Sequence, residues 1–290
     1  MVTVDVLIPH YNDPEGLEMS LKSIAEQDWK GDFRVVVCDD GSKANLLKKA
    51  EDILNAYDGE VVLIKSPVNL GRPKTRNILL DNIASEYVAW LDAGDEWYPT
   101  KTRLQFDAIY RSMVRYENKN IWATCSYDWK WIGGRARTIQ QNTKGDQVQS
   151  LMMGKDLRAY LWTLLAKADA FKWLGKFDEE LLRLQDLDYF LRFASQGGQI
   201  VTVGSPEPLC VYHKSDMGRN GVEVKNCFFY IYNKHKYLYS QYSAKFRKNR
   251  RYDIYMHAAR FLDSNGDTLK KISMNGKAFL THPTRYLFRF

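Results

Sequence analysis

The sequence of 290 residues contains no apolar run long enough to span a bilayer, so we expect no transmembrane helix. Its first residues lack the basic and apolar regions of a secretory signal peptide, and a cytoplasmic protein is therefore expected. The four cysteines are far apart and form no CxxC pair, which disfavours a zinc site and a disulfide framework. The usual glycine-rich motifs for dinucleotides (GxGxxG) and for P-loop phosphates (GxxxxGK followed by Ser or Thr) are also missing.

Acidic residues are scarce at the carboxyl end of the chain. Residues 244–290 hold 11 Lys or Arg and 3 Asp or Glu, whereas the whole chain has a net charge of +7. The basic character therefore belongs to the tail. Such a tail is typical of contact with a membrane surface or a nucleic acid, and equally of a solvated helical face.

Apolar runs and helical periodicity alternate through the first 91 residues. Four apolar runs end near residues 9, 38, 65 and 91, and the segments between them carry apolar residues at helical spacing. Near-continuous apolar strands joined by helices are typical of a parallel sheet that is covered on both faces. The pattern predicts an α/β fold with a Rossmann-like, mostly parallel sheet.

Polar loops follow each of these four strands, at residues 10–13, 39–42, 67–72 and 92–95. Because ligands bind outside the carboxyl ends of parallel strands, we expect these loops to form one site. In the last loop, Asp92 and Asp95 flank Ala93 and Gly94. Two acids with small residues between them can hold a divalent cation or form an ordinary polar turn.

Several short motifs, in this order, carry a family resemblance. They are IPHYN at residues 8–12, VCDDGS at 37–42, NLG at 69–71, RN at 76–77, LDAGD at 91–95, FDEE at 177–180 and QDLD at 185–188. The set resembles the family 2 glycosyltransferases with a GT-A fold, over roughly residues 1–215. The resemblance implies a GT-A domain at residues 1–218, followed by a basic helical extension at residues 219–290.

The resemblance implies a site for a nucleotide-diphospho-sugar and a divalent metal, Mn²⁺ or Mg²⁺. The implied donor-binding residues are Pro9, Tyr11, Asp13, Asp39, Gly71, Arg72, Arg76, Asp92 and Ala93. The implied metal ligands are Asp92, Asp95 and His213. Gly94 stands where the family commonly has a further acid, so the site is expected to bind its metal with one carboxylate fewer.

Asp186 is the candidate general base, because it resembles the second residue of the family's Glu-Asp motif. Gln185 replaces the Glu of that motif. In an inverting transfer, one carboxylate removes the proton of the acceptor hydroxyl while its oxygen attacks the anomeric carbon. The alternative is that Asp186 is an acid in the first turn of a helix, favoured by the helix dipole.

The function expected from these residues is metal-dependent transfer of a sugar, from a UDP-sugar, to a glycan or lipid-linked acceptor. A peripheral position at the inner face of the membrane would follow from the basic tail. Two alternatives remain open at this stage. One is transfer to hydroxylated bases of phage DNA, and the other is a nucleotide-binding module without transfer activity.

The middle of the chain has weaker patterns. Residues 121–127 and 162–166 read as single strands, and residues 139–155 are polar enough to be a mobile loop. From about residue 222 the pattern is helical.

Overall fold

A computed structural model of the protein describes residues 2–116, 120–131, 134–214 and 220–288. The strands in these ranges are β1 (Thr3–His10), β2 (Asp32–Asp39), β3 (Glu60–Lys65), β4 (Tyr87–Trp90), β5 (Glu96–Trp97), β6 (Ile121–Thr124), β7 (Tyr127–Trp131), β8 (Ala136–Ile139), β9 (Leu165–Lys167), β10 (Gln199–Thr202) and β11 (Cys210–Lys214). The helices are α1 (Pro14–Ala25), α2 (Ala44–Ala56), α3 (Arg72–Asp81), α4 (Lys101–Tyr116), α5 (Gln147–Met153), α6 (Ala168–Leu174), α7 (Gln185–Ser195), α8 (Gly221–Lys234), α9 (Lys236–Ser240), α10 (Ala244–Ser264), α11 (Thr268–Thr281) and α12 (Pro283–Leu287).

The central sheet has seven strands in the order β10-β6-β9-β4-β1-β2-β3. The four strands predicted from the apolar runs, β4, β1, β2 and β3, are neighbours and all parallel. Residues of β4, β1 and β2 are buried on both faces at the centre of the sheet, as near-continuous apolar strands require, whereas β3 at the edge is half-buried. The short strand β9 runs antiparallel between β4 and β6, so the sheet is mixed but mostly parallel.

A second sheet of four strands, in the order β5-β11-β7-β8, begins just after the fourth polar loop. Strand β11 pairs with β5 in antiparallel fashion and with β7 in parallel. This pairing brings residues near position 211 beside residues near position 96, although they are far apart in the sequence.

Helix α1 shows how local sequence places one of the loops. Asp13 caps the helix by accepting a hydrogen bond from the backbone N–H of Gly16 at 3.0 Å, and Pro14 occupies the first turn. Leu17, Leu21 and Ile24 then lie on one face and are buried in the core. The helix therefore starts immediately after the first polar loop and fixes its end.

Residues 121–127 were expected to be one strand, and this expectation is wrong. Strand β6 ends at Thr124 in the central sheet, and β7 begins at Tyr127 in the second sheet. Ser126 marks the change, where its backbone carbonyl accepts a hydrogen bond from the N–H of Leu209 at 2.8 Å. Because every residue from 121 to 127 is buried, the sequence shows one apolar run although the chain changes sheets.

Two further expectations about the middle of the chain need correction. Residues 139–155 are not one loop, because they contain helix α5, which is capped by Asp146 and ended by Gly154 in the left-handed conformation. Residues 162–166 are not one strand, because a 3-10 turn at Leu161–Thr163 precedes strand β9.

The chain divides into two compact units, Met1–Glu179 with Tyr189–Ser215, and Glu180–Asp188 with Asp216–Phe290. The boundary expected between residues 218 and 219 lies outside the described residues. The second unit contains the expected helical segment, with a small core of Ala258, Ala259, Leu262 and Met274 between α10 and α11. In the described parts of the chain, no helix combines the length and the apolarity needed to cross a membrane.

Candidate functional site

The polar loops that follow β1, β2, β3 and β4 emerge at one edge of the central sheet. This follows from the register, which pairs His10 with Asp39 and Asp39 with Lys65 across parallel neighbours. Strand β4 is in register with β1 at Leu7 and Trp90. The expected convergence of the four loops is therefore present, all within the first unit.

Asp39 lies at the centre of the first two loops and is fully buried. One carboxylate oxygen lies 2.8 Å from Nδ1 of His10 and 2.5 Å from Oγ of Ser42, and the other accepts the Ser42 backbone N–H at 2.9 Å. A carboxylate has about four acceptor positions. Asp39 therefore orders both loops and keeps accepting capacity for one more donor.

The same two loops are joined by Asn12, which has a positive φ of 55°. Its backbone N–H donates to Ser42 Oγ at 2.7 Å, and its side-chain oxygen accepts from the backbone N–H of Lys43 at 2.8 Å. Asn is one of the few residues that adopt this conformation readily. The loops are thus a single cross-linked surface.

Seven of the nine donor-binding residues implied by the resemblance are partly or fully exposed, Gly71 and Asp92 among them. The ring of Tyr11 is 50% exposed, Asp13 and Arg72 are exposed, and Pro9 and Ala93 are half-buried. An exposed aromatic ring can stack on a planar base. Their roles in donor binding stay predictions.

Asp40 was not among the expected site residues, yet it shapes the third loop. It is buried, and its two carboxylate oxygens accept the backbone N–H groups of Leu70 at 2.7 Å and Gly71 at 3.1 Å. Gly71 has a φ of 87°, which favours glycine, and it immediately precedes helix α3. The signal that could have found Asp40 is its place beside Asp39 in the DDGS motif.

Arg76 and Asp92 form an ion pair at this edge, with the guanidinium nitrogen 3.3 Å and 3.4 Å from the two carboxylate oxygens. The Arg76 side chain is 2% exposed, whereas that of Asp92 is 28% exposed. The next residue, Asn77, holds Phe177 through two backbone hydrogen bonds and donates to Glu179 at 2.9 Å. Arg76 therefore contacts Asp92 from the protein interior, and the carboxylate of Asp92 stays accessible to solvent.

The turn at residues 92–95 is anchored on helix α1. The backbone N–H of Gly94 donates to the carbonyl of Gly16 and to Oγ of Ser20, both at 3.1 Å. Ser20 in turn donates to the carbonyl of Asp95 at 2.8 Å. Gly94 has a φ of 94°, and a Cβ atom there would lie 3.3 Å from a carboxylate oxygen of Asp13. The turn therefore favours glycine where the family commonly has an acid.

Asp95 points away from solvent and connects the turn to the second sheet. Its carboxylate accepts the backbone N–H of His213 at 3.1 Å, and the His213 ring lies 2.5 Å from a carboxylate oxygen of Glu96. Burial raises the pKa of the Asp95 carboxyl well above its ordinary value, and the neighbouring charge of Asp92 raises it further.

The expected metal ligands therefore differ in what they can do. Asp92 is open to solvent, whereas Asp95 and His213 are engaged with each other and with Glu96. Within the ranges that the structure describes, no group of three or more His, Cys, Asp or Glu could hold a metal ion. Mg²⁺ is commonly held by one or two carboxylates together with substrate phosphates. Asp92 fits that arrangement, and the three residues do not fit a cage made by the protein alone.

Asp186 lies in the first turn of α7, within the second unit. The preceding Leu184 has a φ of 64°, a strained value for a large side chain. Gln185 is buried, and in the described chain its amide nitrogen has no hydrogen-bond partner. Asp188 is also buried, between Lys234 at 3.0 Å and His235 at 2.7 Å, whereas Asp186 is half-exposed. Of the two acids in this turn, Asp186 is the one that solvent reaches.

Comparison with known proteins adds to this geometry. Residues 5–145 match the family described as Glycosyl transferase family 2. The chain is 28% identical over 201 residues to "Uncharacterized glycosyltransferase MJ1057" of Methanocaldococcus jannaschii, which covers 65% of this chain and 63% of that protein. It is 26% identical over 245 residues to "Amylovoran biosynthesis glycosyltransferase AmsB" of Erwinia amylovora, covering 79% and 77%. It is 24% identical over 177 residues to "UDP-Glc:alpha-D-GlcNAc-diphosphoundecaprenol beta-1,3-glucosyltransferase WfgD" of Escherichia coli, covering 59% and 68%.

Solved structures show the same fold. The TarS 1-349 fragment of S. aureus in complex with UDP-GlcNAc superposes with a TM-score of 0.65 at 18% identity, covering 99% of this chain and 83% of that one. The mannosyltransferase PcManGT of Pyrobaculum calidifontis, in complex with GDP-Man and Mn²⁺, gives a TM-score of 0.61 at 16% identity, covering 97% and 81%. The fold of this chain is therefore the GT-A fold that the sequence motifs implied.

Proposed function

We propose that this chain, whose residues 5–145 match glycosyl transferase family 2, is an enzyme of that family and transfers a sugar from a UDP-sugar to an acceptor hydroxyl. The observation that carries the proposal is the joined set of loops at the parallel edge, in which Tyr11 and Asp92 are open to solvent while Asp39 and Arg76 are buried. UDP as the nucleotide is supported by the similarity to WfgD, a UDP-Glc glucosyltransferase, and to TarS in its complex with UDP-GlcNAc.

Different residues of this sheet edge would bind the base and the diphosphate of the donor. Tyr11 offers a ring for stacking on the base, and Asp39 keeps one acceptor position for an N–H of the base. Arg72 and Arg76 supply positive charge for the diphosphate. Gly71 and Ala93 have little or no side chain and allow the donor to approach the backbone.

A divalent cation, Mn²⁺ or Mg²⁺, would be held by Asp92 together with oxygens of the diphosphate and would supply charge that stabilises the leaving group. Arg76 limits the free negative charge of Asp92 when no cation is bound, because it lies within ion-pair distance. Asp95 and His213 would fix the turn that presents Asp92 and would not contact the cation.

Asp186 would act as the general base of an inverting, single-displacement transfer. Its carboxylate takes the proton of the acceptor hydroxyl, while the acceptor oxygen bonds to the anomeric carbon and the bond from that carbon to the diphosphate breaks. The half-exposed position of Asp186 at the start of α7 supports this role over that of the buried Asp188.

The acceptor class proposed is a growing surface polysaccharide or a lipid-linked glycan, since AmsB and WfgD carry names of that kind. A lipid-linked acceptor would place the reaction at the cytoplasmic face of a membrane.

The test is a thermal-shift screen of nucleotide sugars with and without Mn²⁺, followed by transfer assays with the sugars that bind. A ligand of the native state raises the melting temperature by mass action. We expect UDP-sugars to raise it, and we expect release of UDP when a glycan acceptor is added. Donor binding without turnover on any acceptor would instead favour a nucleotide-binding module, and no response to any nucleotide sugar would refute the proposal.

A further inference from the structure

The second unit contains a cavity of about 590 Å³ between residues of α8, α10 and α11. Four cationic side chains line it, Arg247, Lys248, Arg251 and Lys277, and no acidic residue is among the residues that line it. Its size is in the range of small-molecule sites. The cavity is thus a concentrated positive site, and it shares no residue with the polar loops of the GT-A sheet.

These four cations differ from several other basic residues of the unit in their ion pairs. Arg183, Lys270, Lys271 and Arg285 each have a carboxylate partner within 2.8 Å. Over the described ranges, by contrast, no carboxylate forms an ion pair with any of the four cavity cations.

Further observations show that positive charge is concentrated at this cavity. The guanidinium of Arg247 donates to two backbone carbonyls, those of Ser240 at 3.4 Å and Tyr242 at 2.5 Å, which fixes the side chain. The pKa of nearby Lys225 is lowered by burial and by the charge of Lys277. Like charges held together without acids indicate a site for an anion.

Helix α11 has a largely exposed apolar face, on which only Phe279 packs against a neighbouring ring, that of Tyr286, among the described residues. Leu269 and Leu280 are 82% and 79% exposed, and Ile272 and Phe279 are exposed beside them. At 3.6 residues per turn these four side chains fall within about 100° of one another. The opposite side of the helix carries Met274 and Ala278, which are buried in the unit. We call the four exposed residues the α11 stripe.

The α11 stripe and the cavity meet at Leu280, which belongs to both. Uncompensated cations next to aliphatic side chains complement an anionic lipid surface, where phosphate groups lie directly above acyl chains. A nucleic-acid base could stack on Tyr232 or Tyr255 of the cavity, but the three most exposed residues of the stripe, Leu269, Ile272 and Leu280, offer a base no stacking partner and match acyl chains. The chemistry therefore favours lipid.

We propose that the second unit binds anionic phospholipid at a bilayer surface. A lipid phosphate would occupy the cavity between α8, α10 and α11, and the α11 stripe would enter the boundary between the lipid headgroups and the acyl chains. Binding of this kind needs no spanning helix, because the stripe enters only the boundary between headgroups and chains. This lipid binding does not depend on sugar transfer, and the experiment that tests it contains neither a nucleotide sugar nor an acceptor.

The test is cosedimentation of the full chain with vesicles of phosphatidylcholine alone and with phosphatidylglycerol added. We expect binding to the anionic vesicles that weakens as salt is raised. The double variant Lys248→Gln and Arg251→Gln should bind roughly 25-fold more weakly, at roughly fivefold for each basic residue. The double variant Lys22→Gln and Lys49→Gln removes the same charge from exposed positions of the first unit and should bind like the wild type.

The double variant Leu269→Ser and Leu280→Ser should weaken binding by roughly tenfold or more at every salt concentration, because the loss is apolar. Both positions are exposed, so the variant should keep the wild-type melting temperature. Equal binding to both kinds of vesicle, or no binding to either, would overturn the proposal. Salt-sensitive binding to duplex DNA without vesicle binding would assign the cavity to nucleic acid. Binding of inorganic phosphate without vesicle binding would assign it to a soluble phosphate compound, and either result overturns the lipid site.

Discussion

The guanidinium of Arg76 lies 3.3 Å from the carboxylate of Asp92, and only Asp92 is open to solvent. The pair links helix α3 to the polar loop that follows β4, so the positive charge of Arg76 offsets the negative charge of Asp92. An anion or a cation that binds at this edge interacts with both charges. Substitutions of these two residues therefore test directly whether the site binds a diphosphate.

Replacing Arg76 by Met should weaken the binding of UDP by about tenfold to a hundredfold, the usual value of a hydrogen bond to a charged group. The change removes a cation and leaves the Asp92 charge facing the diphosphate. Isothermal titration calorimetry with UDP measures the effect. Arg103→Met removes an exposed cation that pairs with Asp28 on the surface, and it should leave the affinity unchanged. Unchanged UDP binding in Arg76→Met would exclude Arg76 from the donor site.

Mn²⁺ should bind the protein weakly in the absence of nucleotide and at least about tenfold more tightly in the presence of UDP. The reason is that Asp92 alone of the expected ligands presents a solvent-accessible carboxylate, so the remaining ligands must come from the diphosphate and water. Mn²⁺ titrations followed by electron paramagnetic resonance, with and without UDP, measure this coupling. By linkage, Mn²⁺ must tighten UDP binding by the same factor.

Two substitutions separate the acids of this turn. Asp92→Asn should abolish the increase in Mn²⁺ affinity that UDP causes, whereas Asp95→Asn should preserve it, because Asp95 is buried against His213. Tight Mn²⁺ binding by the free protein that is lost in Asp95→Asn would show that the three expected ligands do form a metal site.

The sequence predicted the part of the central sheet where each strand is a single apolar run and each connection between strands is one helix. Strands β1 to β4 and helices α1 to α3 follow that rule. It placed a strand at residues 162–166, which overlaps β9 only at Leu165 and Ala166, and it could not place this strand between β4 and β6, because that position depends on long-range pairing. Helix α5 was missed for a different reason. Its seven residues are too few for a helical pattern, and only the cap Asp146 and the terminating Gly154 mark it.

The candidate site was predicted in outline for the same reason. Carboxyl-end loops of parallel strands must meet, so Tyr11, Asp39 and Asp92 could be grouped from sequence alone. The different environments of Asp92 and Asp95 could not be foreseen, because strand β11 buries Asp95 from more than a hundred positions away. Ser20 was missed because its partners are backbone groups, which no side-chain motif reports.

Asp95→Asn should make the protein more stable than the wild type at neutral pH, and the difference should vanish in acid. The folded-state pKa of Asp95 is raised by burial, so the folded protein holds a proton that the unfolded chain releases near pH 4. The wild type therefore has this stabilisation below about pH 4. It loses about 1.4 kcal/mol for each pH unit as pH rises from there towards the folded-state pKa. Asn keeps the hydrogen bond from His213 and does not titrate. Urea unfolding at several pH values measures the difference, and a parallel wild-type and variant curve would contradict it.

Asp186→Asn should lower the rate of sugar transfer by roughly a hundredfold to ten-thousandfold, the usual contribution of a positioned general base. Binding of UDP should remain, because the substitution changes the group that receives the proton and leaves the donor loops intact. Asp169→Asn, at an exposed position in the first turn of α6, changes the same charge and should keep full activity. The rate should be measured against pH for the wild type and for Asp186→Asn, since loss of a base removes the acidic limb of the profile. Full activity with an unchanged pH profile in Asp186→Asn would show that another group takes the proton.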